Sequence, residues 1–138
     1  GLHCPICKGY LKDLDNKLDD FKKLGVEVIV VSNDPEDRAK TTKADWRLDN
    51  LTIGYGIDIA TSRSWGLYVS SGIGKTSTGI EEPDRFAEPG IFLVRPDQTL
   101  YFASIQTMPF ARPRFEDVLK AIEIVVSRDY PARGEVVD

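Results

Sequence analysis

The only two cysteines of the chain, Cys4 and Cys7, stand two residues apart in HCPIC, directly ahead of a long amphipathic run. This constrains the fold more than any other feature, because it fixes where a helix begins. Pro5 follows Cys4, and proline is favoured in a first helical turn, where its missing N–H costs nothing. In CKGYLKDLDNKLDDFKKLG the apolar residues Cys7, Leu11, Leu14, Leu18, Phe21 and Leu24 recur at helical steps, with Lys and Asp between them. Gly25 is a C-terminal stop. Cys4 is therefore expected at the helix N-terminus, facing unpaired N–H groups and the positive end of the dipole, and both favour thiolate over thiol. Cys7 falls one turn further in, within disulfide reach and expected to be the more buried. The pair predicts a division of labour in which Cys4 attacks and Cys7 resolves a mixed disulfide or sulfenic acid. Two other readings stay open: half a zinc site, to be completed by His3 and a carboxylate, and two buried structural cysteines.

The rest of the chain predicts an α/β order. VEVIVVS is β-branched and reads as a buried strand. In NDPEDRAK, Asp34 can cap a helix and Pro35 can open it, with an end near Leu48. LTIGYGID reads as a short strand or extended loop, and ATSRSWGLYV as a short helix. SSGIGKTSTGIEEPDRFAEPG, rich in Gly, Pro, Ser and Thr, is expected to be a long mobile surface loop. IFLV, a turn at RPDQ and LYFASI predict an antiparallel hairpin. RFEDVLKAIEIVVSRD predicts a last helix with Phe115, Val118, Leu119, Ile122 and Val126 on one face, and the tail YPARGEVVD is expected to be loose. A strand buried on both faces needs neighbours, and nothing before Gly1 can supply one. The expectation is an N-terminally truncated chain whose missing strand lies immediately upstream of GLHC.

A length of 138 residues suits a single domain spanning 1–138. The net charge of -4 argues against nucleic-acid binding, which wants a basic face. No apolar run approaches the roughly 18 residues of a membrane span. Two cysteines are too few for a secreted disulfide scaffold, so the expected location is cytoplasmic, although Gly1 is not a natural start and a removed leader is compatible with it.

HCPICKGYL, its amphipathic helix and VEVIVVSND resemble the thioredoxin-fold superfamily, and in particular the AhpC/TSA-type peroxiredoxin-like proteins. WRLDNLTIGYGIDIATSRSWGLY and EPGIFLVRPDQTLYFASI are similar to later segments of that family. The resemblance runs from Gly1 to about Val126. It implies a thioredoxin-like fold, with a central mixed sheet flanked by helices. It also implies a thiol-disulfide oxidoreductase that reduces peroxides or protein disulfides and is reset by an external dithiol, with no metal or organic cofactor. A homodimer is compatible with it. Cys4 matches the attacking cysteine, Cys7 the resolving cysteine, and Pro89 the cis-proline that faces the disulfide. His3, Pro5 and Pro89 are the expected substrate-binding positions. Two departures stand out. Gly1 occupies the place of the family's Thr or Ser, and AEPGIF lacks the family's arginine, leaving Arg63, Arg85 and Arg112 as candidates for that cation.

The remaining signals are weaker. VSSGIGKT has Val69 where a phosphate-binding loop needs glycine. Trp46 and Trp65 read as core or rim aromatics. Asp13, Asp15, Asp19 and Asp20 are expected on the solvated face of the first helix, and TMPFARP either contacts a partner or covers the hairpin. The rival functions are a redox-sensing or partner-binding redoxin domain without turnover, and a CxxC zinc-binding structural domain.

Overall fold

The structure, a computed structural model, describes residues 1–138. Helix α1 spans Pro5–Asn16 and α2 spans Leu18–Lys23. The single helix expected here breaks at Lys17, which caps the first and opens the second. The apolar stripe survives the break, and Leu14, Leu18 and Phe21 are all buried. Gly25 closes the run at φ 76°, a left-handed conformation that glycine adopts without a Cβ penalty. Its N–H donates to the Lys22 carbonyl, and that of Val26 donates to Phe21.

Strand β1 (Ile29–Val31) pairs in parallel with β2 (Thr52–Gly54), across helix α3 (Glu36–Asp45). Helix α3 is shorter than expected, ending at Asp45 with Trp46 as its C-cap rather than near Leu48, and Asp34 does not cap it. The Asp34 carboxylate instead accepts the Leu2 N–H at 2.7 Å, from a site that is almost wholly buried. Helix α4 (Ile59–Ser64) follows, with Asp58 as a side-chain cap that accepts the Thr61 N–H.

The segment expected to be a mobile loop is instead zipped at its base. Strands β3 (Val69–Ser71) and β4 (Arg85–Ala87) pair antiparallel, and the pairing continues through Gly72 N–H to Asp84, Glu82 N–H to Gly74 and Thr76 N–H to Ile80. Three-residue strands inside a Gly- and Ser-rich stretch carry too little period-2 signal to stand out. The hairpin of β5 (Gly90–Val94) and β6 (Leu100–Ile105) matches its expectation, and α5 (Phe115–Arg128) follows. Phe115, Val118 and Ile122 of α5 are buried, whereas Val126 is 58% exposed, because the helix has left the core by its last turn.

The α/β architecture is mixed, with one parallel and two antiparallel strand pairs. The pairs remain separate two-stranded sheets rather than one continuous central sheet, and β1 is paired along one edge only. This corrects the strand read as buried on both faces, since Ile29 is 70% exposed. Val30 and Ile53 of one pair and Ile91 and Leu93 of another pack on the same core, which is built from Leu14, Leu18, Phe21, Trp46, Leu48, Leu51, Phe115, Val118 and Ile122.

Asp15 ties this core to the loop before β2. It was expected on the solvated face, but it is buried and accepts the N–H groups of Asn50 and Leu51 at 2.9 and 3.0 Å. An acceptor facing two backbone donors, one of them buried, is expensive to remove. Asp15→Ala is expected to cost about 2–3 kcal/mol in urea unfolding, and Asp15→Asn, which keeps one acceptor oxygen, less than half of that. Equal losses in the two variants would show that the two N–H bonds are not what the residue supplies.

Candidate active site around Cys4 and Cys7

Cys4 has an extended backbone, φ -91° and ψ 105°, and is the N-cap of α1, with Pro5 in the first turn as expected. Its sulfur takes the position that a serine or aspartate oxygen usually fills, accepting the Cys7 N–H at 3.2 Å. Cys4 and Cys7 are joined as a disulfide with their Cα atoms 5.3 Å apart. The expected order of burial is reversed. Cys4 is buried and Cys7 only partly so, because Cys4 lies under the preceding turn, where its N–H donates to Gly1.

A cation faces both sulfurs. Arg112, from the loop between β6 and α5, donates from Nη2 to Cys7 Sγ at 2.9 Å and lies 3.8 Å from Cys4 Sγ. Arg63 and Arg85 are exposed, on α4 and β4. Arg112 is held from two sides. Its Nε donates to the Pro109 carbonyl at 2.9 Å, its guanidinium lies 4.8 Å from the centre of the Tyr10 ring, and Tyr10 in turn donates its hydroxyl to the Pro113 carbonyl. The Tyr10 ring also packs on Phe115 at 4.3 Å. Burial pushes the Tyr10 phenol up to about 12, with Arg112 opposing the rise. Burial lowers Arg112 from its ordinary value, while Tyr10 and Glu88 oppose that shift. An arginine starts so high that it stays cationic at neutral pH.

His3, next to Cys4 in sequence, packs against β4. His3 is buried, 4.7 Å from the Phe86 ring, and its Nδ1 has no hydrogen-bond partner. Burial is the main reason its imidazole sits below its ordinary value. Glu88, also buried, accepts the Ser70 hydroxyl at 2.7 Å. Asn33 accepts the Ala87 N–H at 2.7 Å and donates to Ile57 and Ser62, holding the end of β4 against β1 and α4.

The cis-proline expected at Pro89 is not found, since every peptide bond is trans. Glu88 N–H donates to Tyr68 at 2.8 Å and the Pro89 carbonyl accepts Gln106 N–H at 3.0 Å, so the chain runs extended from β4 into β5. The sequence reading named Cys4, Cys7, His3, Pro5 and Pro89. The structure gathers the two cysteines with Arg112 and sets Phe86 against His3. Tyr10 is absent from that set. Of the three arginines weighed for the missing cation, Arg112 is the one that faces the sulfurs.

A thiol pair at the start of a helix in this α/β frame defines a thioredoxin-like, peroxiredoxin-like protein. The chain belongs to the AhpC/TSA family, whose sequence model matches residues 1–103. Among solved structures it is similar to a cysteine-to-serine mutant of peroxiredoxin 6 from Arenicola marina, with a TM-score of 0.65 and 20% identity. That match covers 88% of this chain and 56% of the other, so the chain spans little more than half of its structural relative. No curated protein sequence matches it. No helix is long and apolar enough to cross a membrane.

His3 is the only histidine, which makes its effect on stability easy to isolate. Its folded value lies below the unfolded value of about 6.5. As pH falls below that value the unfolded chain takes up a proton that the folded chain does not, so stability drops. Urea midpoints of the oxidised protein are expected to fall from pH 7 to pH 5, and His3→Gln should flatten that slope. Parallel slopes in the two proteins would rule out a buried neutral imidazole.

Proposed function

We propose that the protein is a thiol-dependent peroxidase whose Cys4 and Cys7 cycle between dithiol and disulfide. The observation that carries this reading is Cys4 Sγ at the N-cap of α1, bonded to Cys7 one turn away, with the Arg112 guanidinium over both. Helix-end N–H groups and a nearby cation both favour the thiolate, and such thiols titrate well below the free value of about 8.5.

In the first step the Cys4 thiolate attacks the distal oxygen of a peroxide. The O–O bond breaks, Cys4 becomes a sulfenic acid, and the other oxygen leaves as an alkoxide that takes up a proton. Arg112 supplies positive charge beside that developing anion, the role left empty in AEPGIF. Cys7 then attacks the Cys4 sulfenic sulfur, the disulfide forms and water leaves. An external dithiol returns the pair to the reduced state and departs as a disulfide, so two electrons pass from donor to peroxide. No metal or organic cofactor enters this cycle. His3 and Pro5 flank Cys4 in sequence, and with Pro89 they are proposed to meet the substrate.

The family membership and the fold support this reading. Peroxide consumption with a dithiol donor tests it. Wild type should turn over continuously, and Cys4→Ser should fall to the rate of buffer alone. Cys7→Ser should accumulate one sulfenic acid per chain, trapped by a dione reagent and weighed by mass spectrometry. Full turnover by Cys4→Ser would reverse the assignment. A single oxidation followed by arrest in wild type would make the protein a sensor. Turnover of a model disulfide without peroxide turnover would make it a disulfide reductase.

A further inference from the structure

The two sulfurs do not share their donors equally. Cys4 Sγ is served by the backbone N–H of Cys7 at 3.2 Å. Cys7 Sγ is served by Arg112 Nη2 at 2.9 Å, while the same nitrogen is 3.8 Å from Cys4. The cation is thus seated on the sulfur assigned to resolution rather than on the one assigned to attack. We infer that Arg112 is a catalytic residue of the resetting half of the cycle, stabilising Cys7 Sγ as the leaving thiolate, and that Tyr10 is the positioning residue that keeps it there. The inference rests on the redox reading above and adds a role in a specific step.

That step balances as follows. A donor thiolate attacks Cys4 Sγ, a new S–S bond forms between donor and Cys4, and the Cys4–Cys7 bond breaks. The electron pair of the broken bond goes to Cys7 Sγ, where negative charge appears 2.9 Å from a guanidinium. The donor's second thiolate then attacks its own sulfur in the mixed disulfide, and Cys4 leaves as a thiolate at the N-cap of α1. Exchange is faster when the departing thiol has a lower pKa. A guanidinium in hydrogen-bond contact lowers a thiol pKa by about one to three units, the range for an opposite charge at this distance. The same contact favours attack on Cys4, because that attack releases the charge on the sulfur nearer to Arg112.

The seat of Arg112 is specific. Its Nε is fixed by Pro109, and its flat face lies on Tyr10, whose hydroxyl grips Pro113 on the far side of the arginine. Loop residues 109–113 are thereby tied to α1 one turn beyond Cys7, and Glu88 adds an opposite charge within range of the guanidinium. A lysine could keep the charge but not the planar stacking or the second donor.

Stopped reduction of the preformed disulfide by dithiothreitol tests this directly, because it needs neither the natural donor nor a peroxide. Arg112→Gln is expected to slow it roughly tenfold, with Arg112→Lys and Tyr10→Leu in between, and with Tyr10→Phe, which keeps the stacked ring but loses the hydroxyl, slowed less than Tyr10→Leu. In the Cys7→Ser background, Arg112→Gln should slow oxidation of Cys4 by peroxide by a smaller factor. In the Cys4→Ser background, Arg112→Gln should raise the Cys7 pKa, read from thiolate absorbance, by about one to three units. A matched fall in both half-reactions would reduce Arg112 to a general support of the helix start and overturn the inference. So would an unchanged reduction rate, or a Cys7 pKa that does not move. Failure of the wild-type disulfide to be reduced at all would instead sink the redox reading itself.

Discussion

A sulfur atom caps the first helix. Cys4 fills the place of the usual oxygen cap and accepts the N–H that Cys7 presents one turn later. The proposed attacking sulfur and the helix start are therefore one structural element. Anything that frays the first turn moves the sulfur, and any change in the charge of the sulfur acts back on the turn. The disulfide closes the same turn covalently. The rest of the molecule keeps this turn in place from two directions, with the core beneath α1 and the Arg112 loop above it.

From below, the hold is apolar packing with one polar bolt. Leu14, Leu18 and Phe21 continue the stripe of α1 across the Lys17 break into the core, where they meet Trp46, Leu48, Leu51 and the inner face of α5. Asp15 adds directionality that hydrophobic contact lacks, fixing the backbone of residues 50–51 against the helix. From above, the hold is a stack. Phe115 supports Tyr10, Tyr10 supports Arg112, and Arg112 faces the sulfurs. Phe115 belongs to both groups, so the core and the site share a side chain.

Much of this was legible in the residues. The CxxC pair, Pro5 and the 3.6-residue apolar period located the helix start and its buried face, because those signals are local and redundant. The β5–β6 hairpin was legible for the same reason. What escaped needed long-range geometry. The sequence leaves Arg112 as one of three candidate cations, and across the 105 residues between it and Cys7 no local pattern selects it. Asp15 looks like one more acid on a solvated helix until the residues 50–51 loop arrives against it. Asp34 has the right chemistry for a cap, but its carboxylate was taken by Leu2 N–H, a partner on the far side of α1. The backbone around Pro89 is held by hydrogen bonds to Tyr68 and Gln106, which the sequence does not reveal as neighbours.

Asn33 carries a consequence of its own. Both amide protons are committed, to Ile57 and Ser62, and the amide oxygen is committed to the Ala87 N–H. Turned over, the side chain would set donors against a donor and an oxygen against a carbonyl, so only one orientation is satisfied. Loss of its nitrogen to hydrolysis would set a carboxylate against the Ile57 carbonyl. The protein thus contains a spot at which slow chemical ageing would unlatch β1, α4 and β4 together.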